Sequence, residues 1–522
     1  MNKKVNHIGL FAILFVAGAS HNLTAQTPNW SEHVAPILYN NCTGCHIEGG
    51  IGPFSLVGYN KASTYAGSVK SATAARRMPP WPADVKYQRY AHERILSTEE
   101  IETIKVWADN GIPMGDTTKA PKAPTLSRGS AVAGANINLK MPDYNVTTSS
   151  DEYRCFVLPS GLTQDEYMTA IEVIPGNLRV VHHALIFYDT SKTPVQLDAA
   201  DPKPGYLSFG GTGSSTSQLI GLWVPGSEPY FFPSGFGIPI LKKSNIILQI
   251  HYPGQVNNIT DSTRVILKTT KNPLRPVAIS PALSHTAPTL LNGPLYIPAN
   301  QIKTFNNKYT VPLNVSVFTV GPHMHLLGKS IKAFGVTPAA DTIRFFDIPK
   351  WDFHWQRAYS FRNLLKIQGG TAMKGEATYD NTTANPNNPN QPPQAVGLGE
   401  GTGDEMFLVY FWYTLYQSGD ENIAIDNGAM KNISKSSMVT QADTRLFPNP
   451  AESTVTITDS RFTAGRYSYS ILSAEGSQIE NGLSDMNNAK SVLLDVSRLK
   501  PGIYQILIRQ GETHSVSRLI RL

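Results

Sequence analysis

Asn41-Cys42-Thr43-Gly44-Cys45-His46 has the spacing for covalent haem attachment: two thiols form thioethers to the haem vinyls, and the adjacent imidazole lies under the iron. A redox disulfide expects a βαβ context and a zinc site expects a second cysteine pair, and neither accompanies Cys42 and Cys45. The sixth iron ligand should be a soft or imidazole donor held by a stiff loop downstream. Arg77-Met78-Pro79-Pro80-Trp81 offers Met78, whose flanking prolines restrict where its thioether points. His92 is the rival ligand, and a core methionine is the plain alternative for Met78. Met/His ligation raises the potential and leaves the iron closed to substrates, which is electron-transfer chemistry.

Seven of the 13 histidines fall between residues 130 and 430. His323-Met324-His325 ends an apolar run, so residues two apart project from one face and can reach one metal; a solvated strand end is the alternative. His182-His183 differs, because neighbours on a regular strand point to opposite faces and share a metal only at a bulge, bend or strand terminus. His251 lies late in the apolar run Ile246–Ile250. Alone it reads as a buried, hydrogen-bonded histidine, as Met406 alone reads as a core strand methionine.

These residues need elements to hold them. The chain has 522 residues, more than one domain at roughly 100–200 residues each. With 41 Gly and 37 Pro it excludes a helical or coiled-coil majority. The 45 Lys+Arg against 39 Asp+Glu form no basic block, so nucleic acid is excluded as a partner. Ser97-Thr98-Glu99-Glu100 followed by Ile101, Ile104 and Trp107 reads as a capped helix ending at Asn110-Gly111-Ile112-Pro113, the one helix legible in the chain. From 130 to about 430, short β-branched and aromatic runs such as Ala184–Tyr188, Asn245–Tyr252, Asn314–Val320 and Met406–Tyr413 alternate with Gly, Pro and Asn clusters. They predict two β-sandwiches or jelly rolls with a break near 270–285. Residues 1–25 read Lys3-Lys4, an apolar run Ile8–Ala17 and Leu23-Thr24-Ala25, a secretory signal whose apolar run is shorter than the roughly 20 residues a membrane span needs. No transmembrane segment is expected once it is removed.

The haem site, Arg77–Trp81 and the capped helix together resemble the small c-type cytochrome domains at the front of bacterial multidomain oxidases. Asp151-Glu152-Tyr153-Arg154-Cys155, Val181-His182-His183-Ala184, Gln249-Ile250-His251-Tyr252, His323-Met324-His325-Leu326-Leu327-Gly328 and Asp404-Glu405-Met406 occur in the order seen in copper type II, ascorbate-dependent monooxygenases. That is the family of peptidylglycine α-hydroxylating and dopamine β-type enzymes. The resemblance implies an electron-transfer copper on His182, His183 and His251, and an oxygen-binding copper on His323, His325 and Met406. Imidazoles suit copper in both oxidation states, and a thioether favours Cu(I) over zinc.

Together with the Cys42–His46 haem site, it implies haem c and two copper ions as cofactors. The partners it implies are a small-molecule or peptide-like substrate, dioxygen, and an external electron donor, either ascorbate-like or a protein. Two departures stand out. Cys155 has no cysteine partner once Cys42 and Cys45 hold haem, so it is expected to be a buried thiol. Gly321-Pro322 stands where peptide-hydroxylating members place a carboxylate-clamping arginine, which argues against a C-terminal peptide glycine as substrate. Tyr410 is expected on the strand face of Met406, lining the pocket or the core. The rival classes are a surface haem/copper electron-transfer or copper-binding protein without oxygenase activity, and an adhesive β-sandwich array.

Leu446-Phe447-Pro448-Asn449-Pro450-Ala451, the turn Leu499-Lys500-Pro501-Gly502-Ile503-Tyr504 and the end Arg521-Leu522 resemble C-terminal sorting domains of the type IX secretion system. An ordinary Ig-like appendage is the alternative. The resemblance implies the type IX machinery as a partner, passage through the periplasm, and a final place on the cell surface or outside. The expected architecture is multidomain and mainly β. It comprises a signal peptide (1–25), a small α-helical cytochrome c domain (26–118), a linker (119–129), two jelly-roll-like β-sandwiches (130–275 and 276–431), a second linker (432–444) and a C-terminal Ig-like β-sandwich (445–522).

Overall fold

The computed structural model describes residues 27–125, 129–425, 445–458, 465–473, 478–486, 491–510 and 513–522. The expected signal peptide 1–25 and the linker 432–444 lie outside these residues. The chain is mainly β and divides into two compact units, Met1–Met430 and Lys431–Leu522. Among the described residues no helix is long and apolar enough to cross a membrane.

At the front, helices Ala35–Asn41, Tyr59–Thr64, Ala66–Ala74 and Thr98–Asp109 enclose Trp30, Leu38, Leu56, Ile104 and Trp107. The last helix starts as its sequence predicts: Ser97 Oγ accepts the Glu100 N–H, and the Glu100 carboxylate accepts the Ser97 N–H. The other three, and Thr193–Ala200 within the β region, add to the one helix legible in the sequence. Tyr59–Thr64 and Ala66–Ala74 have no side-chain cap and little apolar periodicity, so packing rather than local sequence holds them.

The β region begins with a five-stranded antiparallel sheet in the order Tyr206–Leu207, Glu152–Pro159, Asn245–Tyr252, His183–Asp189, Gln218–Trp223. Asn245–Tyr252 is the central strand of this sheet; its apolar residues Ile246, Ile247, Leu248 and Ile250 are fully buried, and the buried Gln249 between them donates to Ser208 O and Gly211 O. Against this sheet lies a second, built on Ile137–Lys140, Arg264–Thr270, Glu166–Ile174, Phe236–Ile240 and Arg275–Pro276. The two approach so closely at Gly221 that a Cβ there would lie 2.7 Å from Ile171 Cδ1.

A further pair of four-stranded sheets follows. One runs Ala278–Leu283, Leu408–Leu415, Val315–His323, Tyr359–Ile367; the other runs Gln301–Thr310, Ala372–Asn381, Gly328–Val336, Thr342–Ile348. Phe345 and Phe411 meet edge to face between them, 5.4 Å apart. The two β halves share one apolar core, bridged by Phe318 against Phe232 and Phe236. The segment after Met78 joins the same core: Tyr90 packs on Tyr359 and Phe361 and donates its hydroxyl to Phe345 O at 2.9 Å.

Where the first half passes into the second, Arg275 forks onto both oxygens of Asp420, at 2.6 and 2.8 Å, and Ser316 Oγ donates to the same carboxylate. Hydrogen bonding from Arg275, against the opposing effect of burial, holds the Asp420 carboxyl down at about 2. A depressed carboxylate stabilises the fold above its unfolded value near 3.8 and stops doing so as pH falls through the folded value. Denaturant midpoints should therefore drop for the wild type between about pH 4 and 2, and Arg275→Ala should already be destabilised at pH 7 and lose less over that window. An equal acid slope in both proteins would refute this role for the pair.

The C-terminal unit has a three-stranded sheet (Arg445–Phe447, Thr454–Thr458, Ser491–Asp495) and a four-stranded one (Gln478–Met486, Gly465–Ser473, Gly502–Gln510, Thr513–Arg521) around Val455, Ile457, Ile471, Ile506 and Leu519. Two of these strands, Gln478–Met486 and Thr513–Arg521, carry no clear sequence signal. Both pair only weakly alternating residues against a partner strand.

Candidate metal centres and haem crevice

His183 opens the strand His183–Asp189 and stands opposite His251 in the ladder, while His182 lies just before the strand and donates its N–H to His251 O at 3.0 Å. This is the strand terminus that adjacent histidines need in order to face one point. The ligating atoms of His182, His183 and His251 all lie within 4.8 Å of one another. Tyr153 stacks flat on His251, with centroids 4.3 Å apart.

Both ring nitrogens of His251 are buried with no hydrogen-bond partner among the described residues. Asp151 Oδ1 is 3.4 Å from His251 Nε2, within ion-pair reach but outside hydrogen-bond geometry. A buried imidazole left unpaired is costly, and a cation held by the three rings removes that cost. Burial, reinforced by His251, drives His182 down to about 3 and His183 well below its ordinary value. All imidazoles so shifted are neutral at physiological pH, the form that binds metal without displacing a proton.

His323 ends the strand Val315–His323, and His325 follows two residues on. Each has its Nδ1 at an oxygen: Gln356 Oε1 at 2.5 Å from His323, and Asp404 O at 3.0 Å from His325. The Gln356 amide is oriented by its own Nε2 donating to Phe353 O, so its oxygen faces His323. Acceptors on both Nδ1 atoms assign the protons there and leave two Nε2 lone pairs 3.2 Å apart. Two lone pairs at that distance repel unless a cation sits against both.

Met406 lines the cleft that His323 and His325 line. It is not on a strand as expected: the strand begins at Leu408, and Met406 sits in the preceding turn with its carbonyl accepting from Tyr379 Oη at 2.7 Å. Glu405, fully buried, accepts the N–H of His325 at 2.9 Å and of Leu327 at 2.6 Å, tying the His325 turn to the Met406 turn. Tyr410 does line the cleft, from the following strand.

His183, His323, His325 and Met406 thus open on one cleft of about 270 Å³, with walls that include Leu185, Phe187, Leu222, Trp223 and Leu408. Phe353 stands between the centres, 5.1 Å from the His182 ring and 5.9 Å from the His325 ring, which bounds the distance between those two rings to at most 11.0 Å. His285 lines the cleft as well. Its Nδ1 accepts the Phe407 N–H, which leaves a protonated Nε2 and makes it a donor to the cleft rather than a ligand.

A second crevice, of about 330 Å³, is lined by Cys42, Cys45, His46, Met78 and Pro79. His46 Nδ1 donates to Phe54 O at 3.1 Å, which leaves Nε2 for an iron. Gly52 must be glycine, because a Cβ there would lie 2.8 Å from that Nδ1. Two thiols, an imidazole and a thioether on the walls of one apolar crevice suit a covalent haem. His92, the rival to Met78, lines a different cavity. Cys155 is a free buried thiol, pushed up to about 12 by burial.

Sequence reasoning missed Gln356, Phe353, Glu405 and Arg357. Only Glu405 sits in a motif with a spacing, and its role, accepting main-chain N–H groups, leaves no side-chain pattern to read.

Residues 445–521 match the family described as secretion system C-terminal sorting domain. The protein is accordingly exported to the cell surface or extracellular space, and the sorting domain implies engagement of the secretion machinery. No curated protein matches the chain. Among solved structures, alignments include the Faecalibacterium prausnitzii β-glucuronidase (10% identity, 42% of this chain and 37% of that one, TM-score 0.12). Another is the Bacteroides uniformis β-glucuronidase 3 (9% identity, 42% and 27%, TM-score 0.12). The chain spans about a third of these proteins' length, and at such TM-scores the alignments carry no argument about fold or activity.

Proposed function

We propose that the protein is an exported dicopper monooxygenase that hydroxylates a C–H bond of its substrate with dioxygen, fed with electrons through its own c-type haem. The observation that carries this reading is the pair of separate imidazole clusters, each with ring nitrogens that lack a partner or oppose one another, opening on a single cleft beside a thioether. His182, His183 and His251 would hold the electron-transfer copper, His323, His325 and Met406 the oxygen-binding copper, and Cys42, Cys45, His46 and Met78 the haem. Copper shuttling between cuprous and cupric states supplies the one-electron chemistry that dioxygen activation needs.

The chain's own residues set the conditions. Gln356 and Asp404 O fix the tautomers of His323 and His325, so both present Nε2. The thioether of Met406 selects for Cu(I) and against zinc. Leu185, Phe187, Leu222 and Leu408 limit water and favour an apolar portion of a small-molecule or peptide-like substrate. Arg357 lines both the cleft and the haem crevice, the observation that also favours a second reading, a haem/copper electron conduit without oxygenation.

Haem-matured protein should carry one iron and two copper ions and take up dioxygen with a reductant only when substrate is present. Met406→Ala should keep the haem and the copper on the three-histidine centre yet form no product. Product from Met406→Ala, or haem without any copper, would overturn the oxygenase; electron flow from haem to copper with no substrate-coupled dioxygen uptake would favour the conduit.

A further inference from the structure

Of the imidazoles that line the cleft, His285 belongs to neither of the proposed copper sites. It follows the strand Ala278–Leu283 in a tight turn, where Thr289 Oγ1 donates to the carbonyls on either side of it, Ser284 O at 2.9 Å and Thr286 O at 2.8 Å. The turn fixes where the ring stands. Its Nδ1 accepts the N–H of Phe407, a buried residue next to Met406, at 3.2 Å. A ring nitrogen that accepts carries no proton, so the imidazole is neutral and its single proton is on Nε2. Burial, which drives His285 down to about 4, keeps it neutral at physiological pH. Nε2 meets no acceptor among the described residues, and the ring lines the same cleft as His323, His325 and Met406.

The other polar side chains of the cleft show what such a donor can hold. Gln249 uses its amide N–H groups on Ser208 O and Gly211 O, and Gln356 is held between His323 and Phe353 O. Tyr410 adds a hydroxyl, which donates or accepts, whereas a neutral imidazole with Nδ1 occupied only donates. The charged side chains on the wall, Glu400 and Arg357, are opposite in sign, so the wall has no net charge with which to select an ion. The matching ligand is an uncharged molecule with an oxygen acceptor beside an apolar body, the body lying on Leu185, Phe187 and Leu222.

We propose that His285 is a substrate-binding residue whose Nε2–H holds an uncharged carbonyl or hydroxyl oxygen of the substrate, turning a neighbouring C–H bond toward His323, His325 and Met406. This rests on the dicopper reading and names its substrate class.

Two substitutions separate this role from a structural one, because each keeps one end of the ring. His285→Asn keeps an acceptor at the Nδ1 position for Phe407 and removes the donor to the cleft. His285→Gln reaches the Nε2 position with an amide N–H and leaves the Phe407 N–H without its partner. The test uses full-length, haem-matured, copper-loaded protein free of dioxygen, with copper counted and the urea midpoint measured for each variant. Calorimetry follows three probes with one phenylalkyl body: benzylacetone, a neutral ketone; hydrocinnamate, an anion; and phenylpropylamine, a cation. Wild type should bind benzylacetone most tightly. His285→Asn should weaken that binding about 3–10-fold, as the loss of one neutral hydrogen bond does, with copper content unchanged. His285→Gln should bind the ketone as the wild type does. Tighter binding of either ion, or no binding of the ketone by the wild type, would overturn the proposal. So would full affinity in His285→Asn with loss in His285→Gln, the pattern of a residue that only supports Phe407. Wild-type protein that binds no copper would overturn the oxygenase reading, and the ketone affinities of the three proteins would still decide the role of His285.

Discussion

Glu405→Ala is expected to destabilise the larger unit by about 3–5 kcal/mol, because it strands the buried N–H groups of His325 and Leu327, each costing roughly 1–3 kcal/mol when unpaired. The Met406 N–H also points at this carboxylate, at 3.3 Å. On the dicopper reading, copper at the second centre should then be lost even though no proposed ligand has been changed, since the segments carrying His325 and Met406 are no longer tied together. Burial pushes the Glu405 carboxyl up to about 8, against the pull of those N–H donors, from 4.5. Between these values the folded chain holds a proton that the unfolded chain has released, so stability of the copper-free wild type should fall as pH rises from about 5 to 8. Glu405→Gln, neutral throughout, should show no such slope and a smaller loss at pH 6, because its oxygen still accepts one N–H while its amide opposes another. Urea midpoints at pH 5, 6, 7 and 8 for the three proteins measure this, and parallel lines for wild type and Gln would refute the assignment.

The parts of the molecule that were legible in its residues are those whose pattern is local. The capping box at Ser97–Glu100 is a local pattern, and so is the mostly apolar stretch Ile246–Ile250, whose strand is buried on both faces. The gathering of His182, His183 and His251 depended on a strand ending between adjacent residues. Nothing in Val181–Ala184 dictates that; the ladder partner His251 sets it by leaving His182 outside the pairing.

Met406–Tyr413 is apolar throughout, a pattern that predicts a strand from Met406, yet the strand starts only at Leu408. The buried Glu405 draws the two turns together, and Tyr379 Oη holds the Met406 carbonyl. The helices Tyr59–Thr64 and Ala66–Ala74 were invisible for a related reason: small residues without caps become helical where packing offers them a wall. Gln356 and Phe353 carried no signal at all. A short 3-10 turn, Phe353–Trp355, puts one ring between the two centres and delivers the adjacent amide to His323.

The double replacement Cys42→Ala, Cys45→Ala should abolish covalent haem and with it nearly all turnover driven by a protein or quinol donor. Turnover driven by ascorbate, a diffusible donor that does not need the haem, should be largely retained. The asymmetry follows from where each group sits. Neither cysteine lines the metal cleft, and the contacts that order His323 and His325 come from Gln356, Asp404 and Glu405, none of which depends on a thiol. The two sites do share Arg357, so emptying the crevice removes the donor while the acceptor's ligands keep their hydrogen bonds. On the haem reading, His46→Ala would keep both thiols for attachment but lose the imidazole proposed for the iron, and should lower donor-driven turnover and shift the haem spectrum while copper stays at its wild-type count. Rates with each donor, measured at equal copper occupancy, decide the matter. Equal losses with ascorbate and with the protein donor would mean that the crevice supports the cleft mechanically rather than electronically. In that case the haem would have to be placed outside the path of electrons to substrate.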